Sequence, residues 1–123
     1  MGGANARYRG DIAVTVFLSE PNSYDGGELT IESRFGPVAV KLPAGHAVIY
    51  PASSRHEVTP VTRGERIVCA LWAQSMVRDP QQRELLHDLN EARQALTQST
   101  PQAQVTQQIE RVYANLVRLW VDL

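Results

Sequence analysis

The period of the hydrophobic pattern changes near residue 75, and this change constrains the fold more than any other feature of the sequence. Upstream, apolar and polar residues alternate in short runs separated by glycine and proline turns, which is typical of β-strands. Downstream, leucines recur every three or four residues, as on the buried face of a helix. We therefore predict a mainly β core over residues 1–75 and a helical hairpin packed on that core over residues 76–123.

The β region predicts an antiparallel arrangement of short strands. Its first run is apolar on both faces, which is typical of a strand covered on both sides. In the second run Leu29 and Ile31 face inward, and polar residues alternate with them. Short strands at this spacing indicate an antiparallel sandwich or jelly roll. The predicted strands are residues 11–18, 28–33, 38–42, 46–50, 56–61 and 66–73.

The last of these runs begins with an arginine. Arg66 alternates with Val68, Ala70 and Trp72, and the opposite face of the run is apolar as well. We therefore expect this strand to be central and covered on both sides. An arginine on such a strand needs an anion to offset its desolvation, and a dicarboxylate could supply one through a bidentate contact.

Two helices are predicted after residue 75. Asp79 has the character of an N-cap, Pro80 suits the first helical position, and Gln82 would close a capping box. Thr100-Pro101 predicts the start of the second helix in the same way, with a loose connector over residues 97–108. The second helix carries a narrow apolar stripe, which packs on a neighbouring element or forms a dimer seam. The stripe comprises Val105, Ile109, Val112, Leu116, Leu119 and Leu123.

Composition excludes several classes of protein. Twelve basic and 13 acidic residues give a net charge of -1, without the clustered basic excess of a nucleic-acid-binding domain. The single cysteine, Cys69, excludes an internal disulfide and suits a reducing compartment. The sequence contains neither a signal-peptide core nor an apolar run of about 18 residues. These features predict a cytoplasmic protein that binds neither nucleic acid nor membrane.

Of the three histidines, one is a candidate metal ligand. His46 begins a predicted strand and His87 lies on the first predicted helix, and both are most simply polar surface or rim residues. His56 follows a turn, opens a strand and precedes Arg66 by ten residues. A lone histidine in this position is more often a plain polar residue, so its candidacy depends on the anion that Arg66 requires.

Several longer motifs point to one family. They are YDGGEL at residues 24–29, KLPAG at 41–45, VTPVTRG at 58–64 and QSM-x-RD at 74–79. With these motifs the chain resembles the PKHD-type hydroxylases, which are iron(II)/2-oxoglutarate-dependent dioxygenases similar to prolyl 4-hydroxylases. The resemblance extends over nearly the whole chain and implies a double-stranded β-helix, a kind of jelly roll.

The resemblance also implies roles for two residues. His56 matches the distal histidine that binds Fe(II), and Arg66 matches the basic residue that binds the co-substrate 2-oxoglutarate. Arg63, in a predicted turn, is expected to be exposed to solvent. The family further implies O2 as the second co-substrate and L-ascorbate as reductant, and no catalytic residue beyond the ligands of metal and co-substrate.

The sequence departs from the family at the metal. The family's other two iron ligands form a His-x-Asp pair, and no histidine of this chain is followed by Asp or Glu at that spacing. We therefore expect an incomplete β-helix, in which Met1 is an internal methionine or the chain a remnant. A single imidazole does not hold iron(II) at fixed geometry. We expect the chain alone to be inactive, and poorly stable or oligomeric, with a homodimer as one possibility.

Geometry sets a condition on the proposed pair. In a simple hairpin around Arg63 and Gly64, His56 and Arg66 would lie five positions apart, roughly 17 Å along the strands. Facing sheets lie about 10 Å apart, a distance that a five-carbon diacid and an arginine can span. The enzymatic hypothesis therefore requires the chain to cross between two sheets. The alternative hypothesis is a non-catalytic jelly-roll binding module in which Arg66 serves as an anion pocket.

Overall fold

The computed structural model describes residues 7–123 of the chain. It divides into two compact units, Met1–Gln74 and Ser75–Leu123. Among the described residues, the first unit contains β-strands and one short 3-10 helix, Pro21–Ser23, and the second unit contains two α-helices. The predicted fold class, mainly β with a jelly-roll architecture followed by two helices, is confirmed. The packing of the hairpin on the β core stays a prediction.

The described strands of the first unit form antiparallel sheets. One sheet has the order β5-β1-β8, a second has the order β4-β3-β6, and β2 pairs with β7. The register places Val14 opposite Ile49 on one side and Leu71 on the other, so β1 is central in its sheet. The strands are β1 Ile12–Phe17, β2 Asp25–Gly26, β3 Leu29–Ser33, β4 Gly36–Val40, β5 Ala47–Pro51, β6 His56–Val58, β7 Val61–Arg63 and β8 Val68–Ala73.

The core lies between the two larger sheets. Ala13 and Tyr50 come from the sheet of β1, and Leu29 and Ile31 come from the sheet of β3, and all four belong to one buried cluster. The prediction that Leu29 and Ile31 face inward is therefore confirmed. Because residues of both sheets meet in this cluster, the sheets face each other across it.

The last strand differs from the sequence prediction. Within residues 7–123, β8 pairs only with β1 and so lies at the edge of its sheet, whereas a central strand was expected. Most of its side chains are exposed, Leu71 at 48% and Trp72 at 62%. The apolar pattern of a strand indicates only which of its side chains can be buried. Its central or edge position depends on which other strands pair with it, and those strands are distant in sequence. Arg66 precedes β8 and is not part of it.

The second unit is a pair of helices, α1 Pro80–Ser99 and α2 Gln104–Trp120. The predicted start of α1 is correct, because the Asp79 carboxylate accepts hydrogen bonds from the backbone N–H groups of Gln81 and Gln82. The predicted start of α2 is wrong. Thr100 ends α1 instead, with its N–H 2.8 Å from the Leu96 carbonyl oxygen.

The link between the helices is short, so the loose connector predicted over residues 97–108 is also wrong. Thr106 is buried, and its hydroxyl donates to the Thr100 carbonyl oxygen at 2.7 Å, which closes the turn.

The apolar stripe predicted on the second helix is partly exposed to solvent on α2, where Val105 is 52% exposed and Leu119 is 73% exposed. Neither helix is long and apolar enough to cross a membrane, within the part of the chain that the structure describes.

Candidate functional site

A cavity of about 240 Å³ opens between the facing sheets of the first unit. Residues of β1, β3, β5, β6 and β8 line it, so it lies beside the buried cluster that joins the sheets. Both residues singled out in the sequence, His56 and Arg66, line this one cavity. The other lining residues are Ala13, Val14, Thr15, Leu29, Tyr50, Val58, Val68, Ala70, Leu71 and Trp72.

His56 is the first residue of β6, where it pairs with Ile31 of β3. Its Nδ1 atom lies 2.8 Å from the carbonyl oxygen of Ser54. A carbonyl can only accept, so Nδ1 carries the proton and donates it. That contact leaves the Nε2 lone pair free to bind a metal. The Tyr50 ring packs edge-on against the imidazole with centroids 5.1 Å apart and so restrains its orientation.

Arg66 reaches the cavity from the segment before β8, and its side chain is half-buried. The guanidinium carbon lies 5.8 Å from the centroid of the buried Phe17 ring. Nε of Arg66 is buried and has no hydrogen-bond partner among the described residues. Since arginine stays charged, a buried N–H without an acceptor is costly, and an anion in the cavity would supply the acceptor.

Gly27 gives the Arg66 side chain its room. Its backbone has a φ of +63°, in the left-handed region that favours glycine. A Cβ atom at this position would lie 3.0 Å from Cδ of Arg66 and 2.9 Å from a methyl carbon of Val61. The second glycine of the YDGGEL motif therefore allows the chain to pass close beside the arginine.

Arg63 is held in a different way from Arg66. Its Nε and Nη2 atoms donate to the two carboxylate oxygens of Asp25 at 2.8 and 3.0 Å. The hydrogen bond from Arg63 lowers the pKa of Asp25, and the same bond raises the pKa of Arg63. The side chain is exposed, as predicted, but Arg63 ends strand β7 and does not lie in the expected turn. Its charge is already paired.

The other histidines lie away from the cavity. His46 is exposed, and its carbonyl oxygen accepts from the N–H of Phe17 at 2.9 Å. His87 lies on α1 with Asp88 and Glu91, and within residues 7–123 these three exposed side chains are the one group of His, Cys, Asp or Glu close enough to share a metal. Nothing else at that helix face points to an ion.

Among residues 7–123, no group of three or more His, Cys, Asp or Glu side chains close enough to share a metal includes His56. The cavity lining contains no aspartate, no glutamate and no other histidine. The Asp11 carboxylate lies 3.3 Å from Nε of Arg9, and Glu20 is exposed. One imidazole with a free Nε2 fits one position of an iron site, but it does not complete the site.

Sequence reasoning missed the neighbours that hold the two residues in place. Ser54 fixes the tautomer of His56, and Phe17 and Gly27 pack against Arg66. The YDGGEL motif did contain a signal, because consecutive glycines before a strand often mark a close backbone approach. Phe17 gave no signal, since its alternation in β1 is that of any core residue.

Comparisons with known proteins agree with the family resemblance. Residues 3–74 match the family model described as the 2OG-Fe(II) oxygenase superfamily. Residues 80–122 match the model described as the PKHD-type hydroxylase C-terminal domain.

Individual relatives of the chain are PKHD-type hydroxylases by name. The chain is 55% identical over 122 residues to a PKHD-type hydroxylase of Xanthomonas axonopodis pv. citri, covering 99% of this chain and 53% of the relative. It is 49% identical over 122 residues to a PKHD-type hydroxylase of a Polaromonas species, covering 99% of this chain and 54% of the relative. The chain is 51% identical over 121 residues to a PKHD-type hydroxylase of Bordetella pertussis, covering 98% of this chain and 54% of the relative. The chain thus spans about half the length of the curated relatives it matches.

Proposed function

Because this chain belongs to the 2OG-Fe(II) oxygenase superfamily, we propose that it carries the 2-oxoglutarate-binding arginine and one iron-binding histidine of a PKHD-type hydroxylase. Arg66 binds the distal carboxylate of 2-oxoglutarate, and His56 presents Nε2 to the metal. Iron, when bound by a full ligand set, would supply the site for oxygen chemistry at the other end of the co-substrate.

One observation carries this proposal: His56 and Arg66 line the same cavity, although they belong to different parts of the sheet system. β6 pairs with β3, whereas β8 pairs with β1, so the chain crosses between the facing sheets after residue 58. A simple hairpin between β6 and β8, which would have separated the two side chains too far for a diacid, is absent from the described strands.

The chemistry of Arg66 supports a carboxylate as the ligand. Its guanidinium packs on the Phe17 ring, and its buried Nε lacks an acceptor in the described part of the chain. A carboxylate accepts two parallel N–H bonds from a guanidinium, which a neutral ligand cannot match in strength. Arg63, the other arginine nearby in sequence, is paired with Asp25 and offers no comparable site.

The proposal for the metal is narrower. His56 supplies one ligand, and the described residues of the cavity supply no other. We therefore propose that this chain by itself does not assemble a complete iron site and does not turn over 2-oxoglutarate. Three further parts of the proposal have separate grounds. The use of O2 and L-ascorbate rests on the resemblance, a cytoplasmic location rests on the composition, and a homodimer rests on the apolar stripe of α2.

Titration with 2-oxoglutarate in metal-free buffer tests the role of Arg66, with binding followed by saturation-transfer NMR on the ligand. We expect Arg66→Gln to weaken binding by at least about thirtyfold, because truncating one partner of a buried charge pair costs ~2 kcal/mol or more. Arg63→Gln is the matched control and should leave the Kd within about twofold, since exposed ion pairs contribute little. Equal Kd values for the parent chain and Arg66→Gln would refute the proposal.

A further inference from the structure

A second cavity, of about 410 Å³, opens in the helical unit, and the proposed function makes no use of it. The segment before α1 forms one wall, and the two helices form the others. That segment is tied to the end of α2, because Val77 forms a β-bridge with Val121. All the lining residues belong to the helical unit, so this unit builds the cavity by itself.

Part of the cavity wall is apolar. Val77 and Leu86 are each 8% exposed, and Val117 is half-buried. Met76 also lines the cavity, and 61% of its surface is exposed. A methionine side chain adapts its shape to a neighbour, and its sulfur interacts favourably with aromatic rings. An aromatic group would therefore find a matching surface in this cavity.

Arg83 lines the cavity and leaves one edge of its guanidinium without a partner. Its Nη1 donates to the carbonyl oxygens of Val77 and Arg78 at 2.9 and 3.0 Å, which holds the side chain in place. Its Nε and Nη2 atoms lie together on the other edge and have no acceptor among residues 7–123. In the β unit, Arg63 uses that same edge to hold both carboxylate oxygens of Asp25. The unused edge of Arg83 thus has the geometry that grips a carboxylate.

Asn90 and Tyr113 are held in fixed positions on the cavity wall by one arginine. Nε and Nη2 of Arg93 both donate to Oδ1 of Asn90, so the NH2 group of this amide is turned away from Arg93 and can donate elsewhere. The guanidinium carbon of Arg93 lies 4.8 Å from the centroid of the Tyr113 ring. Arg93 therefore orients a donor and an aromatic face before any ligand arrives.

The charge of the lining residues is positive. Arg83 lines the cavity, and no aspartate or glutamate among residues 7–123 does. His87 lines it as well, but its Nε2 atom lies 3.5 Å from a Glu91 carboxylate oxygen, so any charge on the imidazole is balanced. The guanidinium therefore favours an anion as the ligand.

We propose that the helical unit binds a small aromatic carboxylate in this cavity. The carboxylate accepts from the free edge of Arg83 and from the Asn90 amide, since its two oxygens offer about four lone-pair sites. The ring packs on the apolar wall against Tyr113 and Met76, where it covers exposed apolar surface. This site lies in a different unit from His56 and Arg66, so it does not depend on the proposed function.

The unmodified chain provides a local reporter, because it contains only two methionines and one of them lines the cavity. With 13C in the methionine methyl groups, ~10 mM benzoate should shift the Met76 resonance, which allows for a Kd of ~1 mM. Met1 serves as the reference. Benzamide has the same ring without the charge and should bind at least about tenfold more weakly, as expected for losing hydrogen bonds to a charged group. An unshifted Met76 resonance, or equal Kd values for benzoate and benzamide, would overturn the proposal.

A charge-removing substitution tests the role of Arg83 directly. Arg83→Gln should weaken the binding of benzoate by about tenfold or more, measured through the Met76 resonance. Arg111→Gln removes the same charge from an exposed position on α2 and should keep the Kd within about twofold. Equal Kd values for the parent chain and Arg83→Gln would show that Arg83 does not bind the carboxylate. If Arg83→Gln loses its helical circular dichroism, the comparison of benzoate with benzamide on the unmodified chain decides the question.

Discussion

Each unit of the molecule contains a half-buried arginine against an aromatic ring, and the two differ in where their partners come from. In the helical unit, Arg93 lies 4.8 Å from the Tyr113 ring centroid. Its Nη1 is 3.0 and 3.1 Å from the two Glu110 carboxylate oxygens, and Nε and Nη2 donate to the Asn90 side chain. In the β unit, Arg66 packs on Phe17 with Nε unpartnered in the described residues.

The difference separates a structural arginine from a binding one. Arg93 joins α1 to α2 through Glu110, so its charge is neutralised as soon as the hairpin forms. Arg66 has no such carboxylate on the cavity wall. The ion pair of Arg93 therefore contributes to the free energy of folding. The equivalent interaction of Arg66 can form only when an external anion binds, so it contributes to the free energy of binding.

The largest effect expected from this contrast is on the turnover of 2-oxoglutarate. The cavity wall supplies neither a further metal ligand beside His56 nor a carboxylate for Arg66. With iron(II), 2-oxoglutarate and ascorbate supplied, the isolated chain should release succinate at no more than the background rate. His56→Ala is the matched control and should give the same rate, since one imidazole does not retain the metal. Iron-dependent succinate release that His56→Ala abolishes would show that the site is complete within this chain.

The sequence predicted well those features that depend on neighbouring residues. Alternation correctly placed Leu29 and Ile31 in the core, and Asp79-Pro80 correctly located the start of α1. Thr100-Pro101 has the same signature as Asp79-Pro80, yet its first residue ends α1, because the Thr100 N–H is already bonded to the Leu96 carbonyl. A local motif does not reveal which of two adjacent helices will use its hydrogen-bonding groups.

Features that depend on distant pairing could not be predicted in this way. The edge position of β8 follows from its pairing with β1 alone within the described strands, and its own residues do not encode that. Similarly, the resemblance identified His56 and Arg66, but Phe17 and Gly27 come from other parts of the sequence and lie beside Arg66 only in the folded chain. Positions of that kind require the sheet order before they can be assigned.

The two arginines should respond oppositely to the same substitution in thermal unfolding. Arg93→Met leaves the Glu110 carboxylate without its cation and should lower the melting temperature by about 5 °C. Arg66→Met removes an unpaired buried donor, so the melting temperature should stay within about 2 °C or rise. Circular dichroism at 222 nm follows the helices, and near-ultraviolet ellipticity follows the buried aromatic residues. A larger loss for Arg66→Met would mean that Arg66 has a structural partner after all.

A smaller effect is expected from pH, and in the helical unit it should come from Glu110. The hydrogen bond from the Thr97 hydroxyl, followed by that from Arg93, lowers the pKa of Glu110 below its ordinary value of 4.5. A carboxyl whose pKa is lower in the folded state stabilises that state above the unfolded pKa, and the contribution disappears as the pH falls through the folded pKa.

Melting temperatures measured between pH 6 and about pH 3 should therefore fall more steeply for the parent chain than for Glu110→Gln. Thr97→Ala should give an intermediate slope, because it removes the largest cause and leaves Arg93 in place. Identical slopes for all three proteins would mean that the pKa of Glu110 is the same in the folded and unfolded states, and the contrast between the two arginines would then lose its energetic basis.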